Sequence, residues 1–210
     1  MPRILVVDDH PLIRKGIINV LADEFPQSNF LEASNAAETI ASVWAQHFDL
    51  VLLDLSLQGR SGLELLKEIK AARPRLPVLI LSMHPEVHFA TRALRAGAAG
   101  YVSKDTLSAQ LIQAVRRAMS GGKVISPETA ERLASELGTD TSKPLHERLS
   151  DREFDSMLRL ASGQSVSEIA AELNLSVKTV STYRTRVMLK MGKQSNAELT
   201  QYAIRNNLME

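Results

Sequence analysis

Cysteine is absent from the 210 residues, so disulfides and thiolate metal sites are both excluded. Long apolar runs are absent too. The N-terminal run Ile4-Leu5-Val6-Val7 stops at two aspartates, and nothing approaches the roughly 18 residues of a membrane span or the core of a signal peptide. A cytoplasmic protein with no membrane partner is the expectation. An excess of either charge is also missing. The formal net charge is +1, and that total by itself points to no nucleic-acid partner, but its distribution does. Residues 173–197 carry Lys178, Arg184, Arg186, Lys190 and Lys193 with no acid among them, a local basic stripe of the kind phosphate contacts need. A merely solvated helix face would mix both signs.

The hydrophobic fraction of 44% and charged fraction of 23% are ordinary for a globular chain, and the length allows one large domain or two small ones. From residue 3 to about 120, short apolar runs alternate with amphipathic stretches. The runs are Ile4–Val7, Phe30–Ala33, Leu50–Leu53, Val78–Leu81 and Gly100–Val102; the stretches lie near 11–22, 35–47, 62–72, 86–96 and 106–119. Pro11 suits a first helical turn, and Ser34, Ser61 and Asp105 suit N-caps. Strands alternating with helices of this length imply right-handed crossovers and a parallel sheet covered on both faces. The expected fold is therefore an α/β doubly wound five-stranded parallel sheet over residues 1–120. Residues 121–146 read as a linker with one helix, which Ser126 and Pro127 open and which runs to about Leu137; the turn-rich stretch Gly138–Pro144 follows. Residues 147–210 read as a small all-α domain with helices near 151–161, 166–173, 177–191 and 195–206.

In a doubly wound sheet, ligands bind beyond the carboxyl ends of the strands, near the point where strand order reverses. The polar residues at those ends are Asp8 and Asp9 after the first run, Asp54 after the third, Ser82 after the fourth, and Tyr101 leading to Lys104 in the fifth. Taken singly, each has a plain structural role: an acidic pair caps a helix, an aspartate forms a turn, a lysine is a solvated charge. Together they place three carboxylates, a hydroxyl and an ammonium on one edge. Carboxylates so crowded repel unless a cation lies between them, and an all-oxygen site with open positions suits Mg2+. Carboxylate, Mg2+ and lysine together stabilise a phosphoryl group in transfer, and a carboxylate is itself a covalent phosphoryl acceptor. An aspartyl phosphate is the chemistry these groups favour.

These residues, with the spacing from Asp54 to Ser82 and the sequence Tyr101-Val102-Ser103-Lys104, make residues 3–120 resemble a receiver domain of two-component signalling, which has a flavodoxin-like fold. The resemblance implies that Asp54 is the phosphoacceptor, modified by a sensor histidine kinase. It implies Mg2+ on Asp8, Asp9, Asp54 and the main-chain carbonyl of Ser56. Ser82 matches the hydroxyl that binds a phosphoryl oxygen, Tyr101 the switch aromatic and Lys104 the charge-pairing lysine. The implied switch draws Ser82 toward the phosphoryl group and lets Tyr101 turn inward. Two positions depart from the usual pattern. Gln58 replaces a proline after the acceptor, which loosens that loop, and Asp105 replaces a proline after the lysine.

Residues 165–191 suit a helix-turn-helix. Ser165 caps a short helix whose Ile169, Ala170 and Leu173 form an apolar face; Asn174-Leu175-Ser176 makes the turn, and Ser176 caps the next helix. On that helix Val177, Val180, Val187 and Met191 are expected to face the core. Lys178, Ser181, Thr182 and Thr185 fall on the other side, with Arg184, Arg186 and Lys190 along the flanks, an arrangement suited to a major groove. A helical hairpin in an ordinary bundle is the structural alternative. Leu149-Ser150-Asp151-Arg152-Glu153, Ser167-Glu168-Ile169-Ala170 and Lys178-Thr179-Val180 make residues 148–206 similar to the LuxR-type DNA-binding domain. Joined to a receiver, it resembles the NarL/FixJ family of transcriptional regulators. That implies a homodimer when phosphorylated or DNA-bound, through the last helix, and RNA polymerase as a further partner. Ser181 and Tyr183 replace the lysine and histidine frequent in that helix, so base preference does not carry over.

The rival readings are three. A phosphatase or mutase of the haloacid-dehalogenase type wants a second aspartate two positions after the nucleophile, where Ser56 stands. An interaction protein would act through a partner without binding DNA, which the intact basic helix opposes. A ligand-sensing LuxR-type regulator would carry a small-molecule sensor pocket in place of the acidic edge. The protein is not expected to be an enzyme. His10, His84 and His88 lie near the acidic edge without metal-ligand geometry, His47 and His146 have no motif around them, and Trp44, Met188 and Met191 read as packing residues.

Overall fold

The computed structural model describes residues 1–57, 61–83, 86–105, 108–138 and 144–209. Two compact units divide it, Met1–Gly138 and Thr139–Glu210. In the first, strands β1 (Arg3–Val7), β2 (Asn29–Ala33), β3 (Leu50–Asp54), β4 (Val78–Ser82) and β5 (Gly100–Ser103) alternate with helices α1 (Pro11–Glu24), α2 (Ala36–Ala45), α3 (Gly62–Ala72), α4 (Glu86–Arg95) and α5 (Ser108–Met119), and α6 (Pro127–Gly138) follows. The strands form one parallel sheet in the order β2-β1-β3-β4-β5. Strand order reverses at β1, whose neighbours are β2 and β3.

Period-two alternation explains why this sheet is buried on both faces. Ile4, Val6, Leu50, Leu52, Leu79 and Leu81 pack with Leu21 of α1 and with Ala114, Val115 and Ala118 of α5. The intervening Leu5, Val7, Val51, Leu53, Val78 and Ile80 are buried as well. Each such side chain contributes roughly 1.5–3 kcal/mol over its exposed state, so the middle strands are the rigid part of the unit. The first unit extends past residue 120. Val124 bridges to Gly100 alongside β5, and Tyr101 N–H donates to Val124 O at 3.3 Å. A Cβ at Gly100 would lie 2.4 Å from Val124 Cβ, so only glycine admits this approach.

Local capping differs in detail from the sequence expectation. Asn35, and not Ser34, caps α2, its side chain accepting from Glu38 N–H; Ser34 Oγ donates instead to the Glu38 carboxylate. Ser61 stands at the N-cap of α3 without a side-chain cap bond. Ser126 does cap α6, accepting from Thr129 N–H at 3.2 Å. The residue before α5, the expected Gln58 loop position, His84 and residues 139–143 of the expected linker lie outside the described residues.

The second unit holds a short 3-10 helix (Leu145–Arg148), α7 (Asp151–Ala161), α8 (Val166–Glu172), α9 (Val177–Met191) and α10 (Asn196–Arg205). Capping boxes at Ser150–Glu153 and Ser165–Glu168 start α7 and α8, satisfying donors that a helix start otherwise leaves open. Asn174 takes φ 50 in the turn, a left-handed conformation that asparagine tolerates better than most residues. Phe154, Met157, Leu160, Ile169, Val180, Val187, Leu199 and Ala203 form the core. His146, which no motif singled out, is 5% exposed and lies 3.0 Å from Tyr202 Oη, tying the 3-10 helix to α10.

Candidate functional sites: an acidic sheet edge and a cationic helix

The acidic site follows from register. β1 and β3 pair with Val7 opposite Leu53, so the next residues, Asp8 and Asp54, leave adjacent strands side by side at the sheet's reversal point. Both are 1% exposed. Lys104 reaches them from the end of β5: Nζ lies 2.7 Å from Asp8 Oδ2 and 2.8 Å from Asp54 Oδ2. The lysine is positioned by the β4–β5 pairing, since its N–H donates to Ser82 O at 2.9 Å. The remaining carboxylate oxygens meet main-chain donors. Asp8 Oδ1 accepts from His10 N–H at 2.8 Å, and Asp54 Oδ1 from Ser56 N–H at 3.1 Å.

Burial dominates the electrostatics here. It pushes the Asp54 carboxyl above the usual aspartate range, Asp8 adds to that, and Lys104 and the Ser56 N–H oppose it. Burial acts on Lys104 in the downward direction, but Asp54 and Asp8 together outweigh it and hold the ammonium above its ordinary value. Asp54 is thus a crowded carboxylate beside a lysine that stays charged. Ligand atoms of Asp8, Asp9, His10 and Asp54 all lie within 4.8 Å of one another. His10 Nδ1 sits 2.7 Å from Asp9 Oδ1 with its side chain 62% exposed, so it holds Asp9 from the solvent side. The donors left for a cation are hard carboxylate oxygens, which fit Mg2+.

Ser82 is fully buried and Tyr101 is 3% exposed. The expected swing of Tyr101 from outside to inside has no outward starting point in this structure, because the ring is already enclosed. Two supporting residues escaped the sequence reading. Arg14 Nη1 donates to Asp8 O at 2.6 Å and its Nε to Glu32 Oε2 at 2.6 Å, bracing the end of β1 against β2. A Cβ at Gly62 would fall 2.5 Å from Leu55 Cα and 2.6 Å from Asp54 O; only glycine lets α3 begin so close to the acceptor strand. No periodicity announces either contact. The first unit also has a cavity of about 630 Å3 bordered by Asp49, Lys70, Pro77, Ala99 and Lys123. It opens at the amino ends of the strands, the wrong end for the carboxylates.

On α9, the structure separates the expected cations. Lys178, Ser181, Thr182, Thr185 and Arg186 are exposed. Lys190 is not available in the same way. Its Nζ lies 2.6 Å from Oε2 of Glu153, a carboxylate 2% exposed that also accepts from Ser150 N–H. Burial pushes the Glu153 carboxyl upward, but Lys190 and the Ser150 groups outweigh it and hold its pKa below the usual glutamate range. Arg184 is half-buried, its Nε donating to Asn196 Oδ1 at 3.2 Å. At 100° per residue they lie on opposite flanks of α9, Lys190 toward Glu153 of α7 and Arg184 toward Asn196 at the start of α10. Val180, Val187 and Met191 face the core as expected, but Val177, in the first turn, is 51% exposed. Leu189, which the sequence reading passed over, is 81% exposed on the side of Lys178 and Thr185. Trp44 is 66% exposed on α2, so it is not the packing residue expected. Met191 is buried and Met188 half-buried.

The description "Response regulator receiver domain" matches residues 4–116, and "Bacterial regulatory proteins, luxR family" matches residues 147–203. The response regulator UvrY of Escherichia coli (strain K12) is 35% identical over 99% of this chain and 96% of its own length. The response regulator GacA of Pseudomonas viridiflava is 35% identical over 100% of this chain and 99% of its own length. Among solved structures, RcsB from Salmonella enterica serovar Typhimurium, bound to promoter rprA in the presence of phosphomimetic BeF3-, has a TM-score of 0.62. It is 25% identical, covering 96% of this chain and 98% of the other. A receiver joined to a LuxR-type helix-turn-helix is the class that fold and sites define. The chain belongs to the NarL/FixJ family of two-component response regulators, DNA-binding proteins that regulate transcription. Among the described residues, no helix is long and apolar enough to cross a membrane.

Proposed function

We propose that Asp54 is the phosphoacceptor of this regulator and that its phosphorylation by a sensor histidine kinase governs DNA binding by α9. The observation that carries this is the Lys104 ammonium lying within 2.8 Å of both Asp8 and Asp54 at the reversal point of the sheet. Asp8, Asp9, Asp54 and the Ser56 carbonyl would hold Mg2+, which when bound offsets charge on the phosphoryl oxygens. The side chains supply the remaining chemistry. An Asp54 Oδ forms the bond to phosphorus while the bond from phosphorus to the donor's leaving group breaks, and the leaving group departs with the electron pair. Lys104, retained by Asp8, follows the negative charge from the carboxylate to a phosphoryl oxygen. Ser82 donates its hydroxyl to another. Its shift reshapes the space beside Tyr101 and biases the face formed by α4, β5 and α5. The reaction is self-modification from a phosphodonor rather than turnover, so the protein is not an enzyme in the ordinary sense.

In the second unit, Lys178, Ser181, Thr182, Thr185 and Arg186 are the groups of α9 offered to the major groove, with Arg184 and Lys190 supporting its placement. The protein acts in the cytoplasm as a homodimer when phosphorylated or DNA-bound, reading half-sites about one helical turn apart; RNA polymerase is its further partner. The receiver is residues 1–120, residues 121–146 carry the connecting helix, and residues 147–210 bind DNA. Selecting fragments from a genomic pool at fixed salt, with and without acetyl phosphate plus Mg2+, tests the whole reading beside Asp54→Ala. Sharpened binding to a two-half-site sequence, lost in Asp54→Ala, is the expected result. Specific binding indifferent to the phosphodonor would remove the switch, and no specific binding in either state would favour a protein partner instead of DNA.

A further inference from the structure

At the centre of the outward face of α9, two threonine hydroxyls are engaged with the helix itself. Lys178, Thr182, Thr185 and Leu189 succeed one another at i, i+4, i+7 and i+11, which places them in one stripe at 3.6 residues per turn. All four are exposed. Yet Thr182 Oγ1 donates to Lys178 O at 2.9 Å and Thr185 Oγ1 donates to Ser181 O at 3.0 Å. Back-bonding of this kind commits the hydroxyl hydrogen to the helix itself and fixes the rotamer. Each threonine then offers a partner its γ-methyl and an acceptor oxygen, not a donor. Leu189, 81% exposed, continues the stripe with more methyl surface.

We infer that α9 reads thymine through its C5-methyl group, with Thr182 and Thr185 as specificity-determining residues and Leu189 extending the contact. This inference rests on the DNA-binding reading above. In the major groove, thymine presents O4 and the only methyl among the four bases. A stripe of methyl groups therefore discriminates thymine, whereas guanine recognition needs the bidentate donors that this stripe lacks beyond Lys178. Thr182 and Thr185 are about 4.5 Å apart along the helix axis, close to the roughly 3.4 Å step of the duplex, so they meet neighbouring base pairs. Arg186 beside the stripe and Lys178 at its start are left for phosphates or for a flanking base.

The test uses the full chain with acetyl phosphate and Mg2+ and the operator obtained by selection. Thymines in the half-sites are replaced one at a time by deoxyuridine, which keeps every hydrogen-bonding group and deletes only the methyl; replacements in the spacer serve as control. Deoxyuridine is expected to weaken binding roughly three- to tenfold at one or two half-site positions, about what loss of a buried methyl implies. Thr185→Val, which keeps methyl surface, should bind the thymine operator about as well as the parent. Thr185→Ser, which deletes the methyl alone, should lose affinity for it and become insensitive to deoxyuridine at its own position. If half-site deoxyuridine changes nothing while specific binding persists, the methyl reading is wrong and the DNA-binding reading stands. If no sequence is bound specifically, the DNA-binding reading falls and takes this one with it.

Discussion

Replacing Lys190 by methionine separates a structural lysine from a DNA contact. In the folded chain, Lys190 Nζ is 2.6 Å from Oε2 of a glutamate whose side chain is 3% exposed, while the lysine's own side chain is 41% exposed. A hydrogen bond to a charged partner contributes about 1.5–3 kcal/mol, and breaking a buried pair costs more because the remaining charge is stranded. The exposure of Lys190 lets water screen part of that. A destabilisation of about 2 kcal/mol is the balance of these effects, which corresponds to roughly a 30-fold fall in amide protection where opening is global for the unit. Hydrogen exchange of the α7 and α9 amides in the full chain reads this directly. Adding Glu153→Gln to Lys190→Met should recover part of the loss, since the stranded carboxylate is gone, so the two effects fall short of additive. A structural role for Lys190 is refuted if Lys190→Met leaves exchange in α7 and α9 unchanged while it lowers DNA affinity and flattens its salt dependence, for the ammonium would then belong to a phosphate.

The same pair gives a pH signature. Glu153 has a folded pKa held below the ordinary glutamate range, so its contribution is present above that ordinary value and is lost as pH falls through the depressed one; protection of α7 should decline at acid pH more steeply in the parent than in Glu153→Gln. Asp54 has the opposite sense. Its carboxyl is raised, so ionisation at neutral pH opposes folding, and Asp54→Asn should stabilise the receiver by on the order of 1 kcal/mol in chemical denaturation while abolishing phosphorylation by acetyl phosphate; a destabilised variant would contradict this. Gly62→Ala puts a Cβ within 2.6 Å of Asp54 O. A loss of about 1–3 kcal/mol together with slower phosphorylation is expected, and an unchanged phosphorylation rate would mean that the loop after β3 shifts without moving Asp54.

Most elements were legible in the linear pattern because their causes are local. Four-residue apolar runs, a proline at the start of α1, and serines before α7, α8 and α9 act over one turn or one strand, and the observed bounds of α3 and α9 match the stretches 62–72 and 177–191. The expected cap of α2, Ser34, gave way to its neighbour Asn35, because which of two adjacent polar side chains reaches the Glu38 N–H depends on backbone geometry that the pattern does not carry. The acidic edge was legible as well, since alternating strands and helices permit few topologies and each puts strand ends on one side. The pattern placed side chains around a helix but not their partners on other elements. Arg184 and Lys190 stand among the same cations as Lys178 and Arg186 in the chain, and only the tertiary placement of Asn196 at the start of α10 and of Glu153 on α7 made them partners of those residues. Val177 kept helical spacing with the core residues yet is half exposed in the first turn of α9, and Trp44 is exposed on α2.

The sequence by itself therefore determined the type and order of the strands and α-helices described and the groups at the sheet edge, because hydrophobic period, capping and topology are set by neighbours in the chain; the 3-10 helix Leu145–Arg148 went unannounced. Only the tertiary structure decided that Lys104 lies between Asp8 and Asp54, that Arg14 braces the end of β1 against β2, that Gly62 lets α3 begin against the acceptor strand, and which cations of α9 remain free. Those are distances between residues far apart in the chain, set by how side chains from different elements fill one another's space, and no local pattern encodes them.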